Sequence, residues 1–186
     1  MQTKHSALDL LHEYVQSDSL RKHCLAVATA MEAYAKKFQK ENEAEKWWIT
    51  GLLHDFDYEK YPSLEQHPFE GVKILKEQSY PQEIIEAILG HGNHTHVPRK
   101  SQMARTLFAV DELSGFIIAL AKVRPNNFEG MSAESVKKAL KKKDFAKAIN
   151  REEIEQSIIE LGANKEEHFE TVITALKSNK KQLGFQ

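Results

Sequence analysis

Apolar residues recur every three or four positions along most of the chain, which is the spacing of amphipathic helices. The clearest stripe begins at Leu20 and continues through Cys24 and Val27 to Phe38. No segment alternates strictly between apolar and polar residues, as a half-buried strand would. The same helical spacing predicts further helices over 42–53, 68–75, 81–90, 102–123, 132–140, 152–161 and 165–183.

Capping residues and prolines mark the ends of these helices. Asn42, Asn150 and Asn164 are each followed three residues later by a glutamate, a pattern that indicates a helix start. Pro68 and Pro81 are predicted at first helical positions. The sequence therefore predicts an all-α fold, a bundle of about seven or eight helices.

The composition changes after Pro125, where lysine and glutamate become more frequent. We therefore expect a helical core over 1–125 and a helical C-terminal extension over 126–186 that packs on the same domain. A chain of 186 residues is long enough for one such domain with its own buried core.

Charge and composition exclude some classes of protein. A net charge of -1 argues against a dedicated nucleic-acid binder, which is normally strongly basic. The lysines between 137 and 147 could suggest nucleic acid, but neighbouring acidic residues favour a solvated helix face. Cys24 is the single cysteine, so no intramolecular disulfide can form. With neither a long apolar run nor a signal-peptide pattern, we expect a cytoplasmic protein without membrane contact. The C-terminal helices could also mediate formation of a homodimer.

Four polar residues stand at positions where the helical pattern predicts apolar ones. His23 adjoins the buried stripe of its helix, His54 and Asp55 follow an apolar segment, and Asp111 lies within another. A buried carboxylate costs several kcal/mol unless a cation or hydrogen bonds offset it. Imidazole and carboxylate together form a site for a divalent ion.

Simpler interpretations of the same residues stay open. Each histidine alone could be an ordinary core or surface residue. Asp111 could pair with Arg105 or Arg124, or it could lie exposed beside Glu112. The combination of a histidine, a later His-Asp pair and an isolated aspartate favours the metal site over these alternatives.

This order of residues resembles the HD-domain superfamily of metal-dependent phosphohydrolases, over roughly residues 15–125. The segment that begins at His67 and ends at Gly71 is similar to the His-Pro-x-x-Gly step of the subfamily with two metals, and His91 follows the next predicted helix. The resemblance implies an HD-domain helical bundle with one or two divalent ions (Fe, Mn, Mg, Zn or Co). The implied ligands are His23, His54, Asp55 and Asp111 for one ion, and Asp55, His67 and His91 for the other.

Other roles are possible for the residues of the second group. His67 could instead cap a helix, and His91 could be a helix-end histidine favoured by the dipole. His94 and His96 lie in a loop rich in glycine and asparagine, where they could face solvent or approach a substrate.

The chain departs from the family pattern directly after the His-Asp pair. Where the family has His-Asp-Ile-Gly-Lys, this sequence reads His-Asp-Phe-Asp-Tyr over 54–58, without the lysine that would approach a phosphate. Lys60, Lys122 or Arg124 could replace that lysine in binding substrate, although each could equally be a solvated side chain.

The resemblance implies hydrolysis of a phosphate ester in a nucleotide or another small phosphorylated molecule. The nucleophile would be a metal-bound hydroxide, oriented by the catalytic residues Asp55 or Asp111. Two alternatives remain: a di-iron oxygenase built on the same scaffold, and a non-catalytic HD module that senses a ligand.

Overall fold

The computed structural model describes residues 2–186 and confirms the all-α prediction, since this part of the chain contains helices and no strand. Two short 3-10 helices, Glu41–Glu43 and Asn93–Thr95, lie between the α-helices. The α-helices of the described residues are α1 Lys4–Tyr14, α2 Asp18–Lys37, α3 Ala44–Leu53, α4 Phe69–Glu77, α5 Gln82–Leu89, α6 Gln102–Val123, α7 Ala133–Leu140, α8 Arg151–Leu161 and α9 Lys165–Ser178.

Helix α1 is the one that the sequence pattern did not predict. Thr3 and Ser6 form a reciprocal capping box at its start, and the helix buries Ala7, Leu10 and Leu11. The missed signal was this capping pair followed by apolar residues at helical spacing. With α1, the described residues form nine α-helices, whereas seven or eight were expected.

Several predicted helix boundaries were wrong. Asn42 is not an N-cap, because it lies inside a 3-10 turn and α3 begins only at Ala44. Helix α9 ends at Ser178 rather than at 183, and the turns that follow return the chain to the core, where Phe185 packs edge-on against Phe128. Pro68 and Pro81 are N-cap residues rather than first helical residues, so α4 and α5 each begin one residue later than predicted.

The centre of the bundle is the packing of α2 against α3, with α6 beside them. Gly51 of α3 makes close contact possible, because a Cβ there would lie 2.8 Å from the backbone of Ala28. This close approach brings His23, in the second turn of α2, next to His54, which caps the end of α3. This packing positions the first part of the candidate site.

The last three helices share the core of the first six. Helix α8 packs on α6, α9 packs on α2 and α6, and α7 packs on α9. Phe169, Val172 and Leu176 of α9 are fully buried in the same hydrophobic cluster as the residues of α2. No helix among residues 2–186 has the length and apolar content required to cross a bilayer.

Candidate metal centre

The first group of possible metal ligands lies where α2, α3 and α6 meet. The Nε2 atom of His23 is 3.0 Å from Oδ1 of Asp111 and 3.2 Å from Nε2 of His54. His54 Nε2 lies 3.3 Å from the same oxygen of Asp111 and 3.4 Å from Oδ2 of Asp55. Asp111 thus contacts two histidines rather than Arg105 or Arg124, whose guanidinium groups bond to backbone carbonyls elsewhere.

The second group lies on the other oxygen of Asp55. Oδ1 of Asp55 is 3.2 Å from Nε2 of His67 and 3.3 Å from Nε2 of His91. The two Nε2 atoms are 3.2 Å apart. His23, His54 and Asp55 form one trio of donors within coordinating range of one another, and Asp55, His67 and His91 form a second. Asp55 belongs to both.

Backbone and side-chain acceptors fix the orientation of three of these rings. His54 Nδ1 contacts the carbonyl of Gly51 at 2.8 Å, and His91 Nδ1 contacts the carbonyl of Ile88 at 2.6 Å. His67 Nδ1 is 2.7 Å from Oδ1 of Asp57. Each Nδ1 is therefore placed to donate, and in the neutral ring each Nε2 presents a lone pair.

This orientation tests whether the residues fit a metal. When His67 and His91 are both neutral with the proton on Nδ1, their two Nε2 lone pairs face each other at 3.2 Å and repel unless a metal ion or a proton lies between them. Nitrogen and carboxylate donors suit Fe, Mn or Zn. The donor set therefore fits a divalent ion at each end of Asp55.

Asp57 is a site residue that the sequence did not reveal. It is 1% exposed, and besides His67 it accepts a hydrogen bond from the backbone N–H of Gly71 at 2.8 Å. A Cβ at Gly71 would lie 2.7 Å from Cγ of Asp57, so glycine is needed there. The departure from the family pattern thus supplies a carboxylate that holds a ligand histidine, and His67 does not act as a helix cap.

The carboxylates and imidazoles strongly perturb each other. Burial alone would lower the pKa of His54, but the charges of Asp55 and Asp111 raise it well above its usual range. Burial opposes charge at His67 too, where Asp55 and Asp57 raise the pKa to about 9. Despite burial, the pKa values of Asp55 and Asp111 are held well below their ordinary range, with His54 the main cause. Without a metal, protons therefore provide the compensating positive charge.

A cavity of about 400 Å³ opens onto both ligand groups, a volume suited to a small molecule. Five of the six candidate ligands line it, all but the fully buried His54, and its lining also includes Tyr58, Glu112 and Glu153. Burial and the neighbouring Asp111 raise the pKa of Glu112 to about 7.

Another part of the cavity wall comes from the connector between α7 and α8, residues 141–150. Ala148 and Ile149 of this connector line the cavity. Ile149 Cδ1 approaches within 3.2 Å of where a Cβ of Gly115 would lie. The guanidinium of Arg151 binds the connector through the carbonyl oxygens of Leu140, Lys142, Phe145, Ala146 and Ile149.

The structure distributes the predicted substrate-binding residues unevenly. His94 lines the cavity, and its Nε2 lies 2.9 Å from the backbone carbonyl of His67. Lys60 lies over the ring of Tyr14, and Arg124 bonds to backbone carbonyls in the turn after α6. Neither Lys60 nor Arg124 is among the residues that line the cavity.

A further buried histidine lies outside the cavity, in the packing of α9 against α2 and α6. His168 contacts the hydroxyl of Tyr34 through Nδ1 at 2.5 Å and the carbonyl of Ala109 through Nε2 at 3.1 Å. Burial lowers its pKa to about 4. Its partners are uncharged, so this imidazole is neutral.

Comparison with known proteins identifies the fold to which this centre belongs. The family model described as HD domain matches residues 20–115, just over half of the chain. The search of curated proteins found no match, and the search of solved structures found none either. The matched segment includes all six candidate ligands, from His23 on α2 to Asp111 on α6. The chain belongs to the HD domain family.

Proposed function

We propose that this protein is a metal-dependent hydrolase that cleaves the phosphate ester of a small phosphorylated molecule. The supporting observation is the position of Asp55, whose two oxygens face different histidine pairs within one cavity. Membership of the HD domain family, generally metal-dependent phosphohydrolases, supports the same reaction class.

The ligands would divide between two ions. His23, His54 and Asp111 would hold one, His67 and His91 the other, and Asp55 would contribute an oxygen to each. When bound, such ions lower the pKa of a coordinated water and polarise a phosphoryl oxygen.

The surrounding residues orient this centre and form part of its wall. Asp57 keeps the proton of His67 on Nδ1, so that Nε2 stays available as a donor. Ala148 and Ile149 of the connector form one side of the cavity that would hold the ester.

The test is phosphate release from a panel of nucleotides, sugar phosphates and amino-alcohol phosphates, after reconstitution with Mn²⁺ or Fe²⁺. We expect release by the wild type and a loss of at least about 10³-fold in Asp55→Ala, because the substitution removes a ligand from both groups. Asp9→Ala is the matched control, since Asp9 is an exposed residue of α1.

Absence of phosphate release from every ester, with metal bound, would refute the proposal. So would equal rates in the wild type and Asp55→Ala. Ligand binding without turnover would instead support the non-catalytic sensing module.

One observation favours a di-iron oxygenase as a second candidate. Tyr58 takes the place of the family lysine, and no lysine or arginine lines the cavity within residues 2–186. An enzyme that does not have to stabilise a departing phosphate has less need of such a cation. This alternative would be established if the iron-loaded protein consumed oxygen only when a compound of the panel is added, and hydrolysed none of the esters.

A further inference from the structure

The cavity walls beyond the metal ligands have an unusual charge for a phosphate site. Glu112 and Glu153 both line the cavity, whereas the described residues contribute neither lysine nor arginine to it. Phosphate-binding sites commonly supply such cations. The cavity wall beyond the candidate ligands is therefore acidic, whereas a purely anionic substrate would require a basic wall.

Neither glutamate forms an ion pair with a lysine or arginine of the described residues. One oxygen of Glu112 accepts the backbone N–H of Asn150 at 3.1 Å, and one oxygen of Glu153 accepts the side-chain amide of Asn93 at 3.1 Å. No lysine or arginine nitrogen in residues 2–186 lies within ion-pair distance of either carboxylate. Arg99, which also bonds to Asn93, is paired with Glu160 instead.

A charge balance limits what the cavity can accept. Its carboxylates are Asp55, Asp111, Glu112 and Glu153, of which Glu112 is only partly ionised near neutral pH, so two divalent ions would leave the cavity close to neutral. A phosphate monoester adds at most two negative charges, whereas a nucleoside triphosphate adds about four. The balance therefore favours a monoester whose organic part carries a compensating positive charge.

Tyr58 supplies a surface that suits such a charge. Its ring lines the cavity, meets the ring of His67 edge-on with centroids 5.1 Å apart, and is 43% exposed. Leu64 lines the same cavity and is 59% exposed. An exposed aromatic ring together with carboxylates is the combination that binds organic ammonium groups.

From these observations we propose that the substrate is a small phosphate monoester of an amino or quaternary ammonium alcohol. The phosphate faces the metal ligands, and the ammonium group contacts Glu153, Glu112 and Tyr58. This inference concerns the same site as the proposed function and takes the hydrolysis of a phosphate ester from it.

The test compares two substrates that differ in the charge of the organic part, phosphoethanolamine and glycerol 3-phosphate, with the metal-loaded full-length protein. We expect phosphoethanolamine to have the higher kcat/KM. In Glu153→Gln the ratio of the two values falls about tenfold, the effect of ~1.4 kcal/mol of lost charge pairing. Glu155→Gln is the control, because Glu155 lies on the same helix but bonds to Lys165 at the surface.

A binding measurement separates this inference from the proposed function. Calorimetric titration with phosphocholine is expected to show binding to the wild type that weakens about tenfold in Glu153→Gln. Phosphate release with preference for glycerol 3-phosphate or nucleoside triphosphates would refute the ammonium inference and leave the hydrolase proposal standing. Phosphocholine binding that depends on Glu153, without hydrolysis of any ester, would support the ammonium inference and refute the hydrolase proposal. A ratio unchanged in Glu153→Gln would also overturn the inference.

Discussion

The protein buries histidines in two different ways, and the contrast lies in their partners. His168 packs between α9, α2 and α6 and contacts a tyrosine hydroxyl and a backbone carbonyl, both uncharged. His67 is also buried, but it lies between the carboxylates of Asp55 and Asp57. Burial holds the pKa of His168 at about 4, whereas the carboxylates raise that of His67 to about 9.

The comparison shows that burial alone does not identify a functional histidine. An imidazole whose two nitrogens both have neutral partners is a satisfied core residue, and its removal affects stability. An imidazole that turns a free Nε2 toward a carboxylate and a second imidazole lacks only a cation. The two environments therefore predict opposite responses to mutation.

The largest expected difference is in metal content. In His91→Ala we expect bound metal to fall from about two ions per chain to about one, because a donor to one ion is lost. His168→Ala is expected to retain its metal and to lose about 3 kcal/mol of unfolding free energy, through a cavity and an unpaired tyrosine hydroxyl. Elemental analysis and urea denaturation measure the two effects.

His5→Ala provides the control for these substitutions. His5 is exposed on α1, so neither metal content nor the denaturation midpoint is expected to change. Unaltered metal content in His91→Ala, or metal loss in His168→Ala, would contradict the distinction between the two environments.

The next effect is a dependence of stability on pH that comes from the neutral histidine. His168 has a pKa of about 4 in the folded state and about 6.5 when unfolded. Acidification through this range therefore protonates the unfolded chain first, and stability is lost as the pH falls. Between pH 7.5 and 5 the loss amounts to about 2 kcal/mol.

His168→Gln is the variant that isolates this contribution, because glutamine can still donate to Ala109 and accept from Tyr34. Urea denaturation of both metal-free proteins across the range is expected to show a shallower decline for the variant. Parallel declines would mean that His168 is not held neutral by burial.

The smallest effect concerns Asp57, which touches a ligand rather than a metal. Its two oxygens accept from His67 Nδ1 and from the backbone N–H of Gly71. Asp57→Asn offers one oxygen to two donors, so one bond is lost in either amide orientation. We expect metal affinity to fall by about 10–100-fold, as measured by competition with a chelator.

Gly71→Ala tests the same contact from the other side. The Cβ of the alanine would displace Asp57, and we expect metal affinity to fall by a similar factor. Asp9→Asn is the matched control on the surface. Full metal affinity in both Asp57→Asn and Gly71→Ala would show that the orientation of His67 does not depend on Asp57.

Much of the fold and the six candidate ligands could be predicted from the sequence, because both depend on local patterns of residues. The stripe from Gln102 to Val123 predicted α6 and placed Asp111 among apolar residues, which directed attention to it. The start of α3 was predicted less well, since Asn42 resembles a cap but lies within a 3-10 turn. Helix ends depend on small energy differences that tertiary packing can reverse.

The remaining parts of the core and of the site depend on contacts that have no local signature. Tyr34 and His168 are 134 residues apart, so their hydrogen bond leaves no pattern in either segment. In the sequence, Asp57 was only a departure from the family motif. Its role in orienting His67 depends on the close approach of Gly71, which the sequence pattern does not show. Glu112 and Glu153 reach the cavity from α6 and α8, and only the packed structure shows that they share it.

The cavity wall is built from two parts of the sequence, one that matches the family and one that follows it. All six candidate ligands lie within the stretch that matches the family, residues 20–115, whereas Ala148, Ile149 and Glu153 lie beyond it. Of the residues proposed to contact the ammonium group, Tyr58 and Glu112 lie within the matched stretch and Glu153 lies beyond it. Relatives that keep the six candidate ligands could therefore alter the wall formed by the connector that Arg151 holds and, with it, the substrates that they accept.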